Sequence, residues 1–387
     1  MKLFFLLLLL FFLGGCSFIV EGSTSSALAH QFETEASLST DDFILVHSQA
    51  ELEEALWGMI TQHTAQQQFR ISHFNSSIAR ALISDAIHAV WSEPLGAYAV
   101  NMFTPHILTE APGLLEFELT IQFDRTADEI ASVRTIHTGA FFHEVLESTL
   151  RAETDHVAFL VPANIANVNF IESLILAAYY SQALDLVLLP QFQINLYPSI
   201  ATGPRRIVEL MFDFGFSLDE LTGFRDDLQS TVSSIANIIP DHFDQAQRVL
   251  LLSNTLSSRA MFDPIPTPQP DPNTQDFTPN LSDTAFGALV SRRASSEGFS
   301  MAMLALLSYF DIPAHIVFGE LAGNPHAWNL IYIDGAYYHF DVSMLREHGP
   351  QSTLFVSDEA FMFQYGYTWD ILLYPRADSA LRYSDFS

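Results

Sequence analysis

His326-Ala327-Trp328-Asn329-Leu330-Ile331-Tyr332-Ile333-Asp334-Gly335-Ala336-Tyr337-Tyr338-His339-Phe340-Asp341-Val342-Ser343 reads as two strands about a tight turn. Asp334-Gly335 is a strong two-residue hairpin signal between two apolar, aromatic-rich runs. With these two residues as the loop, Ile333 pairs with Ala336, Trp328 faces Asp341 and His326 faces Ser343. Paired residues share a face, so His326, Trp328, Leu330, His339, Asp341 and Ser343 all point one way. His326 and Asp341 become diagonal neighbours, within reach of each other's side chains. The hairpin alone therefore offers a His–Asp pair in which the acid can fix the imidazole tautomer.

Upstream, Ser295-Ser296-Glu297-Gly298-Phe299-Ser300 precedes an apolar stretch. Glu297 to Phe310 has helical length, with Phe299, Met303, Leu304, Leu307 and Phe310 on its core side. Ser295 and Ser296 stand at its start, where serine is a favoured cap. Free backbone N–H groups and a partial positive charge gather at a helix start. They favour an anion and can hold an oxyanion. Asp311-Ile312-Pro313 ends the helix, and Ala314 to Gly319 reads as a strand. Helix and hairpin need only pack together for Ser296, His326 and Asp341 to form a constellation.

Residues from about 240 to 387 resemble the transglutaminase-like superfamily, whose fold is papain-like. Asp283-Thr284-Ala285-Phe286-Gly287-Ala288-Leu289-Val290 and Glu297-Gly298-Phe299-Ser300 look like the segment around that family's nucleophile. His326-Ala327-Trp328-Asn329 and Tyr338-His339-Phe340-Asp341 look like its histidine and aspartate motifs. Phe355-Val356-Ser357-Asp358-Glu359, Trp369-Asp370 and Tyr374-Pro375 look like the tail of secreted bacterial members. The resemblance implies catalytic positions at Ser296, His326 and Asp341, with Trp328, Phe286 and Asn329 supporting the cleft, and it implies no cofactor and no metal. The family's nucleophile is a cysteine, and this chain has Ser296 there. A thiol at a helix start has its pKa lowered from ~8.5 into about the 3.5–7.5 range. A hydroxyl is far less acidic and needs full general-base assistance.

The implied fold class is α+β, a papain-like, transglutaminase-like domain over 223–387 preceded by two small modules that look duplicated. Module 1 spans 41–126: helix Gln49–Ile60, strand Gln68–Ser72, helix Ile78–Trp91, and strands Gly96–Phe103 and Leu114–Phe123. Module 2 spans 127–222: helix Ala140–Arg151, strand His156–Val161, helix Phe170–Gln182, and strands Leu184–Leu189 and Arg206–Phe214. In Leu115 to Phe123 every odd position is apolar, the mark of a strand with one buried face. Each copy ends in an acidic stretch, Asp124 to Glu129 and Ser217 to Glu220. A Pro-rich segment, 263–280, follows a helix expected at Asp241–Ser258 and reads as a loop within the last domain.

Met1-Lys2, the apolar run Leu3 to Leu13 and Leu13-Gly14-Gly15-Cys16 resemble a bacterial lipoprotein signal over 1–15. The run is far shorter than the ~20 residues that span a bilayer. In such proteins the cysteine becomes the lipidated N-terminus, so Cys16 implies a lipid anchor at the extracytoplasmic face of the cell membrane, with 16–40 as a flexible tether. Cys16 is the only cysteine, so no intrachain disulfide can form. The net charge of -29 argues against nucleic acid as a partner. His63, His73, His88, His106, His137 and His143 lack metal-ligand spacing and read as surface or core histidines.

Two functions follow. One is a surface lipoprotein whose cleft binds a peptide, protein or cell-wall glycopeptide without turnover, because the thiol is missing. The other is an amide hydrolase or acyltransferase with Ser296 as nucleophile, His326 as base and Asp341 as orienter.

Overall fold

The computed structural model describes residues 43–200, 203–263, 280–379 and 381–386. The signal segment, Cys16, the tether and nearly all of the Pro-rich loop lie outside the described residues. The first module runs β1 (Phe43–Val46), α1 (Gln49–Thr61), β2 (Gln66–Ser72), α2 (Ser76–Ser92), α3 (Pro94–Ala99), β3 (Val100–Ala111) and β4 (Leu114–Phe123). After α4 (Ala127–Ala131), the second runs β5 (Arg134–Thr135), α5 (Gly139–Arg151), β6 (His156–Pro162), α6 (Val168–Tyr180), β7 (Gln191–Tyr197) and β8 (Arg205–Asp213). Their sheets have the same order, β1-β2-β4-β3 and β5-β6-β8-β7, each with a parallel edge pair and antiparallel pairs beyond it.

Several elements differ from the sequence expectation. The parallel edge strands β1 and β5 were not expected; β5 is only two residues long, too short for a periodic signal. The strand expected from Gly96 starts at Val100, because Pro94 opens a helical turn there. Leu184 to Leu189 is not a strand. Leu186, Val187 and Leu188 are all buried, so the run is an irregular segment packed in the core, and β7 follows Pro190. The two acidic stretches are helix starts. Thr126 with Glu129 and Ser217 with Glu220 form reciprocal capping boxes for α4 and for α7 (Leu218–Ala236), a helix the sequence reading missed.

The last part of the chain contains α8 (Gln245–Arg259), β9 (Met261–Phe262), a 3₁₀ turn at Leu281–Asp283, a π-helical turn at Gly287–Ser291, β10 (Arg293–Ala294) and α9 (Ser296–Ser308). Then come β11 (Ala314–Leu321), β12 (Asn324–Ile333), β13 (Ala336–Phe340), the short helices α10 (Leu345–His348), α11 (Pro350–Thr353) and α12 (Asp358–Phe363), and β14 (Tyr367–Trp369). The sheet order is β13-β12-β11-β14, with α9 packed on one face. Asp334 and Gly335 both have positive φ, 49° and 95°, as a two-residue hairpin of this twist requires. Ile333 pairs with Ala336 and Leu330 with His339. Pairing stops at Phe340, short of the expected Ser343, because the Asp341 N–H bonds to Thr353 O instead.

One apolar core runs from the second module into the last domain without a break at 222/223, joining Phe142, Phe159 and Ile175 to Leu252, Met301 and Leu306. The first module keeps its own core around Phe69 and Phe117. Gly298 permits the close approach that places α9. A Cβ there would lie 2.1 Å from Ser282 O and 3.0 Å from Ala294 Cβ. Gly298→Ala is therefore expected to shift the start of α9 and cost about 1–3 kcal/mol in denaturant unfolding. An unchanged midpoint would show that the approach is not needed.

Candidate functional site

Ser296 is the first residue of α9. The cap belongs to Ser295, whose Oγ accepts from Gly298 N–H at 3.3 Å. Ser296 is part-buried and its Oγ accepts from Ala327 N–H at 3.2 Å. Asn329 Nδ2 donates to Ser300 O at 3.1 Å, a second tie between β12 and α9. Asn329 thus braces the helix against β12.

His326 Nε2 lies 2.7 Å from Asp341 Oδ2, across the diagonal that the hairpin register sets. Asp341 is 1% exposed and collects donors on both oxygens. Tyr367 Oη gives to Oδ2 at 2.7 Å, while Ser343 Oγ and Met344 N–H give to Oδ1 at 2.5 and 3.2 Å. Burial alone would push this carboxyl up. The hydrogen bonds and charge of His326, with those of Ser343 and Tyr367, outweigh it and hold Asp341 below its ordinary value. Burial and the Asp341 charge push the Tyr367 phenol far up, so it remains a donor. An ionised Asp341 accepts only, so Nε2 of His326 carries the proton and Nδ1 is the nitrogen left with a lone pair for a base's role. Among the described residues, Ser296 Oγ bonds to Ala327 N–H and no hydrogen bond joins it to that imidazole.

Trp328 is fully buried, with its ring 6.4 Å from His326 and inclined by 26°. Its Nε1–H donates to His339 Nδ1 at 2.9 Å, so His339 must carry its proton on Nε2, which lies 2.8 Å from Asp358 Oδ1. Burial holds His339 below its ordinary value, against the pull of Asp358. This second His–Asp pair fixes the indole beside the first. Phe286 is buried against Phe224 of α7, with ring centroids 4.9 Å apart.

The sequence reading placed Ser343 on the right face but missed Tyr367, Asp358 and Glu297. Tyr367 and Asp358 enter from the tail, and no local pattern links them to the hairpin. Glu297 adjoins Ser296 and signalled itself only as an acid in the first turn of a helix. Burial pushes its carboxyl up to about 7, the Asp283 charge adds to this, and a hydrogen bond from Tyr180 Oη at 2.9 Å opposes it. No group of three or more His, Cys, Asp or Glu among the described residues is placed to hold a metal.

The sequence pattern of the transglutaminase-like superfamily matches residues 240–342, so the chain carries a transglutaminase-like domain there. No curated protein matches the sequence. Among solved structures, a TGase shares 13% identity over 55% of this chain and 59% of its own, with a TM-score of 0.27. A candidate cysteine protease from Cytophaga hutchinsonii shares 14% over 40% and 62%, at 0.23. A candidate protease from Parabacteroides distasonis shares 8% over 59% and 46%, at 0.23. The chain spans less than two thirds of each of these structures.

Glu297 makes stability depend on pH. An acid whose pKa is raised on folding stabilises most below its unfolded value, here 4.5, and that contribution is lost as pH climbs through about 7. Asp341 has the opposite sign, and its contribution disappears only in acid, below its ordinary 3.8. Glu297→Gln cannot ionise. It should gain on the wild type between pH 5 and pH 8, by up to about 3 kcal/mol. Thermal melts across that range check this, and parallel curves for the two proteins would rule it out.

Proposed function

We propose that this protein is a lipid-anchored cell-surface protein whose transglutaminase-like cleft binds a peptide, protein or cell-wall glycopeptide ligand without turning it over. The observation that carries the reading is Ser296. A hydroxyl stands where the family uses a thiol, and it rests on the Ala327 N–H rather than on the imidazole. To attack an amide it would have to rotate to His326 Nδ1 and lose a proton far less acidic than a thiol's. The anchor is Cys16, and Cys16→Ser should move the protein out of the membrane fraction.

A second reading, a Ser-His-Asp amide hydrolase or acyltransferase, draws on the fully bonded Asp341. That network keeps His326 in the tautomer a general base needs. Ser-His-Asp sites work on unrelated folds.

Four proteins separate the readings. The wild type should be inert on peptide amides and unlabelled by a serine-directed phosphonate. Ser296→Cys should gain amide hydrolysis or transamidation, at least ~100-fold above the wild type, and lose it again with His326→Ala. Turnover by the wild type that vanishes in Ser296→Ala would replace the first reading with the second.

A further inference from the structure

Tyr180 is the last residue of α6 and belongs to the second module. Its hydroxyl donates to Glu297 Oε1 at 2.9 Å, one residue from Ser296. Its ring lies 5.1 Å from that of Phe318 on β11, tilted by 52°, and 5.1 Å from that of Tyr179. Phe318 pairs with Ala327, the residue whose N–H meets Ser296 Oγ. Tyr180 therefore bridges the helix that carries Ser296 and the sheet that carries His326. Folding leaves this aromatic pair partly open. Tyr180 is part-buried, and Phe318 is 40% exposed although it is a large apolar side chain. Because the phenol oxygen is already engaged by Glu297, Tyr180 offers a ligand its ring rather than its hydroxyl.

We propose that the second module supplies Tyr180 as a specificity-determining wall of the Ser296 cleft, where Tyr180 and Phe318 take an aromatic side chain of a peptide ligand. This rests on the peptide-binding reading above and adds a subsite to it. It makes the second module part of the site instead of a spacer. Ring packing favours an aromatic group over one without a ring by about two- to tenfold, the worth of one well-placed aromatic pair.

The test reads the subsite without requiring turnover. In the full chain, Cys16→Ser with Ser296→Cys leaves a single thiol at the nucleophile position. Its alkylation rate is measured with iodoacetamide and with its phenyl-bearing analogue 2-iodo-N-phenylacetamide, each divided by that reagent's rate with glutathione. The expected result is a ~2–10-fold preference for the phenyl reagent. It should be lost in Tyr180→Ala and in Phe318→Ala and kept in Tyr180→Phe. A general loosening of the fold would speed both reagents alike and leave their ratio unchanged. No phenyl preference, or a preference untouched by Tyr180→Ala and Phe318→Ala, overturns the proposal, as does a folded protein whose thiol neither reagent reaches. Should Tyr180→Ala fail to fold, Phe318→Ala decides alone. Turnover by the wild type would sink the silent-cleft reading while leaving this ratio to stand or fall independently.

Discussion

A carboxylate taken almost wholly out of water has to be surrounded by donors, and Asp341 imposes that requirement on the whole C-terminal sheet. Its four donors come from β12 (His326), from the turn after β13 (Ser343 and Met344) and from β14 (Tyr367). Removing any one leaves a buried charge less compensated, and breaking such a pair costs several kcal/mol. The hairpin register, the early end of β13 and the docking of β14 beside β11 are all tied to this one group. The same arrangement leaves His326 with one nitrogen occupied and the other available.

Ser296 is brought to the backbone of Ala327, next in the chain after His326, by a different set of forces. Gly298 lets α9 press against the Ser282 carbonyl, and Asn329 and Ala327 tie the helix to β12 by side chain and by backbone. The setting has the parts a nucleophile uses: a helix start, a backbone N–H and a His–Asp pair. Next in the chain after Ser296 is Glu297, whose buried carboxyl is held by the Tyr180 hydroxyl of the second module.

The hairpin was legible in the sequence because its information is local. Asp334-Gly335 fixes the turn, the turn fixes the register, and the register puts His326 diagonal to Asp341. The start of α9 was legible for the same reason, through its serine cap. Leu184 to Leu189 was misread because an apolar run with no alternation suits a buried irregular segment as well as a strand. The helix α7 is hidden in the sequence because Ser217 to Glu220 reads as an acidic stretch, although its Ser-x-x-Glu spacing is a capping signal.

Residue order along the chain was enough for the α+β class, the two like modules, the hairpin's His–Asp pair and the serine at a helix start. Each is a matter of periodicity, turn chemistry or caps, acting over a few residues. Packing between distant segments settled the rest. It brought Tyr367 to Asp341, Asp358 to His339, and Tyr180 of the second module to Glu297. Those contacts form where a buried polar group needs a partner that its own strand or helix cannot supply, and no spacing in the chain records which distant residue will provide it.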